Sequence, residues 1–309
     1  MTPNKRFFYM LALTAMWSPS FLFIKLAIED LPPVTIVSLR VTLGALIIGG
    51  ILFWKRLKLP SDWRFWLTTC IMSFFSSMFP FCLFCYAEQT IDSALAALLN
   101  GTTPMFTAIL AQLFVASDRM NYQKGLGITL CLTGILLLFA PKLQSGVDGT
   151  LLGMIAALVA AFSYSISHVY AKLYLSGQKP FIAPAAQLIA SSLMLWPLAL
   201  TYDRCWELDW PPMKAMIGVC GLAFFGTVCA FIIYYKLLDY SGPTAISTVA
   251  CFFPAVGMML GFLFLNEAFT PLSMMAAIII LVGMLSVNEV ISLDFFRFEK
   301  KSIAGPIEE

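Results

Sequence analysis

Residues 17–25 read WSPSFLFIK, and residues 164–172 read YSISHVYAK. Each stretch has an aromatic residue, a serine, any residue, a second serine and a lysine eight places after the aromatic, at a shift of 147. The same shift carries Pro33 onto Pro180 and Arg40 onto Gln187. Further on, at a shift of 149 or 150, Tyr86, Pro104, Asp118 and Gly134 correspond to Tyr235, Pro254, Glu267 and Gly283. Matches in one order along the whole chain mark an internal duplication.

The composition sets the solvent. Hydrophobic residues make up 60% of the 309 and charged residues only 12%, against roughly a quarter charged in an ordinary soluble domain. Apolar runs of about 20 residues, enough to cross a hydrocarbon layer of about 30 Å, recur throughout. They are continuous and do not alternate in period two, which predicts helices and not barrel strands. The chain is read as an all-α integral membrane protein. The net charge of +2 gives no reason to expect a nucleic-acid partner.

Ten spans are predicted, near 7–26, 33–54, 65–87, 92–115, 122–140, 150–174, 181–201, 213–237, 242–265 and 271–292. Turn and charge signals punctuate them, among them Asp30-Leu31-Pro32-Pro33 and Lys55-Arg56-Leu57-Lys58. Lys5 and Arg6 before the first run resemble the start of a secretory signal, but no small-x-small cleavage site follows, so this segment is read as a retained span. With the N-terminus in the cytoplasm, fourteen Lys and Arg fall on the inner side and five on the outer, which predicts that both termini are inside the inner or plasma membrane. Cys82 and Cys85 form a C-x-x-C within a span, with no His or charged group beside them, and read as small buried hydrophobes.

Five spans per repeat is an odd number, so the second repeat enters the membrane from the opposite side. Such inverted repeats, with a site between the halves, are the architecture of secondary transporters. The expected domains are 7–141 and 150–292, two five-helix repeats around a central cavity, followed by a cytoplasmic tail at 293–309. The aromatic-Ser-x-Ser stretches with their lysines, Pro33, Arg40, and the endings Pro104–Asp118 and Pro254–Glu267 resemble the EamA-type drug/metabolite transporters. So does Leu265-Asn266-Glu267-Ala268-Phe269-Thr270, close to the family's L-G-E ending. Asp118 stands where glutamate is usual, and Pro19 where small residues are common. The resemblance covers about 7–290 and implies ten spans, a central cavity and, in most members, export of small organic solutes.

Trp17, Ser20, Phe21 and Ile24 share one helix face, as do Tyr164, Ser167, His168 and Lys172. Ionisable groups inside spans turn away from lipid, so both stripes are expected to line the interior. Asn100, Thr103 and Thr107 share a face around Pro104, and Thr244, Ser247, Thr248 and Cys251 precede Pro254. Proline-interrupted helices at matching places in two halves point to a transporter site. Tyr86, Tyr234 and Tyr235 would complete an aromatic wall suited to flat or cationic solutes. The candidate substrate-binding set is Trp17, Ser20, Tyr86, Asn100, Thr103, Tyr164, Ser167, His168, Tyr235 and Thr248. Pro19 leaves the carbonyl of Ala15 without its helical donor, bending the first span. His168, the only histidine, is the candidate for proton coupling. Arg40 is expected to neutralise Glu29 or Asp30, and Asp118 and Glu267 to pair with loop cations or cap helices.

These features predict a secondary transporter exporting amino-acid-like or related metabolites by alternating access, with the lipid bilayer and a small solute as its partners. An uptake carrier of the same fold is the alternative, ahead of a passive channel or an intramembrane enzyme. Enzyme chemistry is disfavoured by a single histidine, isolated carboxylates and the absence of a phosphate-binding loop. No cofactor is expected. Substrate, coupling ion and oligomeric state are not encoded in any motif.

Overall fold

A computed structural model of the protein describes residues 3–115, 120–145, 148–177, 181–240 and 243–288. Asp118, Pro180 and the 293–309 tail lie outside these residues. The described chain is all helical, and nine of its helices are long and apolar enough to cross a membrane. They are α1 (Phe8–Ile28), α2 (Pro33–Trp54), α3 (Trp63–Ala87), α4 (Ser93–Phe114), α5 (Tyr122–Pro141), α6 (Gly149–Tyr174), α7 (Ile182–Thr201), α8 (Met213–Leu238) and α9 (Thr248–Leu265). A shorter apolar helix, α10 (Pro271–Val287), follows.

Local chemistry sets the helix ends. Pro33 and Pro271 sit in the first turns of α2 and α10, where a missing N–H costs nothing. Asp62 accepts the Arg64 N–H ahead of α3 (3.1 Å), Asp148 the Leu151 N–H ahead of α6 (2.7 Å), and the Thr270 hydroxyl the Ser273 N–H ahead of α10 (3.1 Å). Asn266 ends α9 in the left-handed conformation, at φ 53°. That turn brings the Glu267 N–H onto the Gly261 carbonyl at 3.1 Å.

Glu267 then reaches another helix. Its two carboxylate oxygens accept the N–H groups of Ser93 (2.8 Å) and Ala94 (3.0 Å), filling the positive N-terminal end of α4. Of the two roles expected for this residue, capping is the one observed. The lysines of the opening motif serve the opposite pole. Lys25 Nζ donates to the carbonyls of Glu88 (2.8 Å) and Ile91 (3.2 Å) beyond the C-terminus of α3. Lys172 Nζ donates to the Leu238 carbonyl (3.0 Å) at the C-terminus of α8. Both place a cation where helix carbonyls lack partners.

Small residues let the helices close in, as membrane packing requires. Gly127 of α5 and Gly283 of α10 face each other: a Cβ on Gly127 would stand 2.6 Å from the Gly283 carbonyl oxygen, and one on Gly283 would stand 2.7 Å from that of Gly127. Helices α2 and α7 are joined by the Thr42 and Ser192 hydroxyls (2.7 Å) and by Trp196 Nε1 donating to Thr42 (2.8 Å). Helix α4 packs on α9, α3 on α6, and α1 on α8. Each pairing crosses from the first half of the chain to the second, and the space left between them is the site.

Candidate functional site

Three of the helices that bound the site are irregular, and those of α4 and α9 fall at repeat-related places. In α1 the helix stops at Trp17, turns through Ser18 and Pro19, and restarts at Ser20, as a proline with no N–H to donate dictates. In α4 a turn at Gly101 and Thr102 separates Ser93–Asn100 from Thr103–Phe114, with Pro104 in the new first turn. Ahead of α9, Pro243–Ser247 leads into a tight 3-10 stretch, Thr248–Phe252, and Pro254 opens the α-helical remainder.

Two further irregularities were not anticipated. Helices α3 and α8 each contain a wide π-helical turn, Phe74–Met78 and Phe224–Cys229. Such turns loosen the regular carbonyl pattern and are frequent at functional sites. Here both are gripped from across the bundle. Arg40 of α2 donates from Nε to the Thr227 hydroxyl (2.7 Å) and from Nη2 to the Gly226 carbonyl (3.0 Å). Gln187 of α7 donates from Nε2 to the hydroxyls of Ser76 (2.5 Å) and Ser77 (2.7 Å). Arg40 therefore does not neutralise Glu29 or Asp30: it is buried against α8 with its guanidinium 3.6 Å from the Phe81 ring centroid, and Glu29 pairs instead with Lys214.

Trp17 completes the first grip. Its indole Nε1 also donates to the Gly226 carbonyl, at 3.1 Å. Position 226 has no room for a side chain, since a Cβ there would stand 2.7 Å from Ser20 Oγ and 3.2 Å from Arg40 Nη2. Ser20, Arg40 and Trp17 thus converge on one wide turn of α8.

Between these elements lies a chamber in which the space open to the centre of a water molecule is about 70 Å³. This is well below the roughly 300–1,000 Å³ usual for small-molecule pockets, so the chamber is narrow in this conformation. Its walls are aromatic. Trp17 lies 5.9 Å from Tyr234 and 6.5 Å from Phe253, and Tyr164 stacks on Phe84 at 5.9 Å, centroid to centroid. Polar groups interrupt this lining at Ser20, Arg40, Asn100, Thr103, His168 and Gln187. His168 Nδ1 is 3.2 Å from the Tyr234 hydroxyl.

Of the ten residues picked from the sequence, Trp17, Ser20, Asn100, Thr103, Tyr164, Ser167 and His168 line the chamber. Three do not. Tyr86 is 46% exposed. Tyr235 is buried behind the wall, its hydroxyl donating to Gln187 Oε1 at 2.6 Å, while its neighbour Tyr234 faces the chamber. Thr248 donates to Asn288 Oδ1 at 2.6 Å and is likewise outside the lining. The hydroxyls of Ser167 and Thr103 are spent within their own helices, on the carbonyls of Tyr164 (2.8 Å) and Asn100 (2.7 Å).

Reading by pattern missed Phe81, Phe84, Phe253, Ser76 and the wall position of Gln187. One signal for the wide turns is present: Phe74-Phe75 and Phe224-Phe225 stand 150 residues apart, each pair followed by two small residues.

Comparison with known proteins agrees with this anatomy. The profile of the EamA-like transporter family matches residues 5–140 and again residues 151–288. The "Uncharacterized transporter YoaV" of Bacillus subtilis (strain 168) is 24% identical over 293 residues, covering 95% of this chain and 97% of that protein. The "Probable amino-acid metabolite efflux pump" of Escherichia coli (strain K12) is 26% identical over 284 residues, covering 89% and 91%. The "Uncharacterized inner membrane transporter YedA" of the same organism is 22% identical over 298 residues, covering 96% and 93%. A crystal structure shares the fold over 94% of this chain and 99% of its own, with a TM-score of 0.71 at 15% identity.

Proposed function

The chain belongs to the EamA-like transporter family, and from that premise we propose that it is a secondary transporter exporting small organic metabolites, amino-acid-like or related, by alternating access. The observation that carries this reading is a chamber with aromatic and polar lining from both halves of the chain, from Trp17 and Asn100 in the first to Tyr164 and His168 in the second. Two five-helix repeats, 7–141 and 150–292, inserted in opposite senses, would rock about that chamber. The paired grips of Arg40 and Gln187 on the wide turns support this arrangement, because each repeat holds the other in the same way. Fourteen of nineteen Lys and Arg fall on the side of the termini, which supports cytoplasmic ends for both and an inner or plasma membrane location. The name of the Escherichia coli relative, an amino-acid metabolite efflux pump, supports the solute class and the direction.

Proton coupling is read through His168, the single histidine of the sequence, which lines the chamber. A His168→Gln variant should lose the response of transport to an imposed pH gradient, and an unchanged response sinks that part of the reading.

The test of the main reading is counterflow in liposomes holding the purified protein, with labelled amino acids and their metabolites. A carrier exchanges at least one of them with a rate that saturates. Ionic conductance in planar bilayers without saturable exchange would identify a channel instead.

A further inference from the structure

We infer that the chamber selects organic anions: solutes carrying a carboxylate or comparable oxyanion on a flat apolar body, with cations excluded. The inference rests on the reading of the chamber as the solute site and adds the charge of what enters it.

Charge bookkeeping inside the chamber is one-sided. Arg40 lines it, is 3% exposed, and keeps its positive charge at any physiological pH. Among the described residues no carboxylate lines the chamber, and none forms an ion pair with Arg40. The partners of Arg40 are neutral: the Thr227 hydroxyl, the Gly226 carbonyl and the face of Phe81. These occupy Nε and Nη2, and among the described residues no hydrogen bond engages Nη1. A charge removed from water keeps its electrostatic demand until an opposite charge meets it. A guanidinium with a donor to spare is suited to an oxyanion.

A second, independent group points the same way. Ser20 Oγ is buried and has no hydrogen-bond partner. It converges with Arg40 Nη2 over Gly226, where a single methyl group would stand 2.7 Å from one and 3.2 Å from the other. An unsatisfied buried hydroxyl is costly unless something accepts from it. The oxyanion that answers Arg40 would also answer Ser20. Beside this corner, Trp17, Phe253 and the Phe84–Tyr164 stack offer faces for a planar body.

The aromatic wall by itself would suit a cation as well as a flat neutral ring. Arg40 reverses that expectation, because a second positive charge would be repelled across a low-dielectric space with no carboxylate to receive it.

Three compounds isolate the charge. Phenylalanine, 3-phenylpropanoate (the same skeleton without the amine) and phenethylamine (without the carboxylate) share one ring and arm. Binding to the full-length protein in lipid nanodiscs is measured by ligand-induced thermal stabilisation. The expected order places 3-phenylpropanoate first, with phenethylamine weaker by about a hundredfold or more. Arg40→Lys should preserve the order, and Arg40→Gln should erase the gap. The wild-type order decides the matter even if Arg40→Gln does not fold. Equal or tighter binding of phenethylamine overturns the inference, and so does failure of all three to bind. The counterflow panel would still decide separately whether the protein is a carrier.

Discussion

Arg40 and Gln187 stand 147 residues apart in the chain and grip equivalent wide turns: Arg40 holds Gly226 and Thr227 of α8, and Gln187 holds Ser76 and Ser77 of α3. The held pairs are themselves 150 residues apart. Duplication preserved the contact while changing its chemistry, from a charged guanidinium on a backbone carbonyl to a neutral amide on two hydroxyls. The charge in the chamber therefore comes from one half only.

The Gln187 grip is backed by Tyr235, whose hydroxyl donates to Gln187 Oε1 at 2.6 Å. Gln187→Ala strands these partners in a buried site and should cost about 1–3 kcal/mol of stability. Tyr235→Phe should cost less. The double variant should fall short of the sum, because both single changes remove the same bond. Thermal unfolding of the four proteins in detergent measures the cycle.

Glu88, in the linker between α3 and α4, is fully buried, and neither carboxyl oxygen has a hydrogen-bond partner. Burial pushes this carboxyl well above its usual range; the Lys25 ammonium draws it partly back, and Glu267 adds to the rise. Asp92, in the same linker, is raised as well, by partial desolvation and then by Glu267. Across the linker, Asp148 is engaged in capping α6. A carboxyl raised in the folded state favours folding fully below its unfolded value of about 4.3. That contribution is lost as pH rises toward the folded value. Stability should thus decline on raising the pH from that point, and Glu88→Gln should flatten much of the decline while leaving the part due to Asp92. A Glu88→Gln protein with the wild-type slope would refute this.

The two capping lysines differ in how many carbonyls they hold, two for Lys25 and one for Lys172. Hydrogen bonds to a charged donor contribute about 1.5–3 kcal/mol, so Lys25→Met should destabilise more than Lys172→Met. Their melting temperatures, compared under one detergent condition, read the difference.

Glu267 joins α9 to the start of α4 through two N–H bonds. Glu267→Gln keeps the shape but removes the charge that complements the positive helix end and replaces one of the two accepting oxygens with a donor NH2. A loss of about 0.5–2 kcal/mol is expected, and Glu267→Ala should lose more.

Much of this was legible beforehand, for reasons that particular residues make clear. The starts at Pro33 and Pro271 and the break at Pro19 follow from a missing N–H, which acts whatever the tertiary context. Trp17, Ser20, Tyr164 and His168 stood out because polar and aromatic groups contrast with the aliphatic sequence around them. Phe81, Phe84 and Phe253 lacked that contrast, since hydropathy does not separate an apolar residue facing a chamber from one facing lipid. Tyr235 is the repeat mate of Tyr86, and that match carries no information on which way the ring points; in the structure its hydroxyl is held by Gln187. Thr248 is placed by a 3.6-residue period, which holds only in a regular helix, and it opens the tight stretch Thr248–Phe252. The partner of Arg40 was missed because the contact depends on the wide turn at Phe224–Cys229, 186 residues away.

The chamber as the solute site is tested most directly by the concentration dependence of counterflow in three variants, Trp17→Ala, Tyr164→Ala and Tyr86→Ala. Trp17 and Tyr164 line the chamber, whereas Tyr86 is 46% exposed outside it. Loss of a wall aromatic should weaken half-saturation by about tenfold or more, corresponding to at least roughly 1.4 kcal/mol, and Tyr86→Ala should match the wild type. Unchanged half-saturation in both wall variants, with exchange abolished by Tyr86→Ala, would contradict the account.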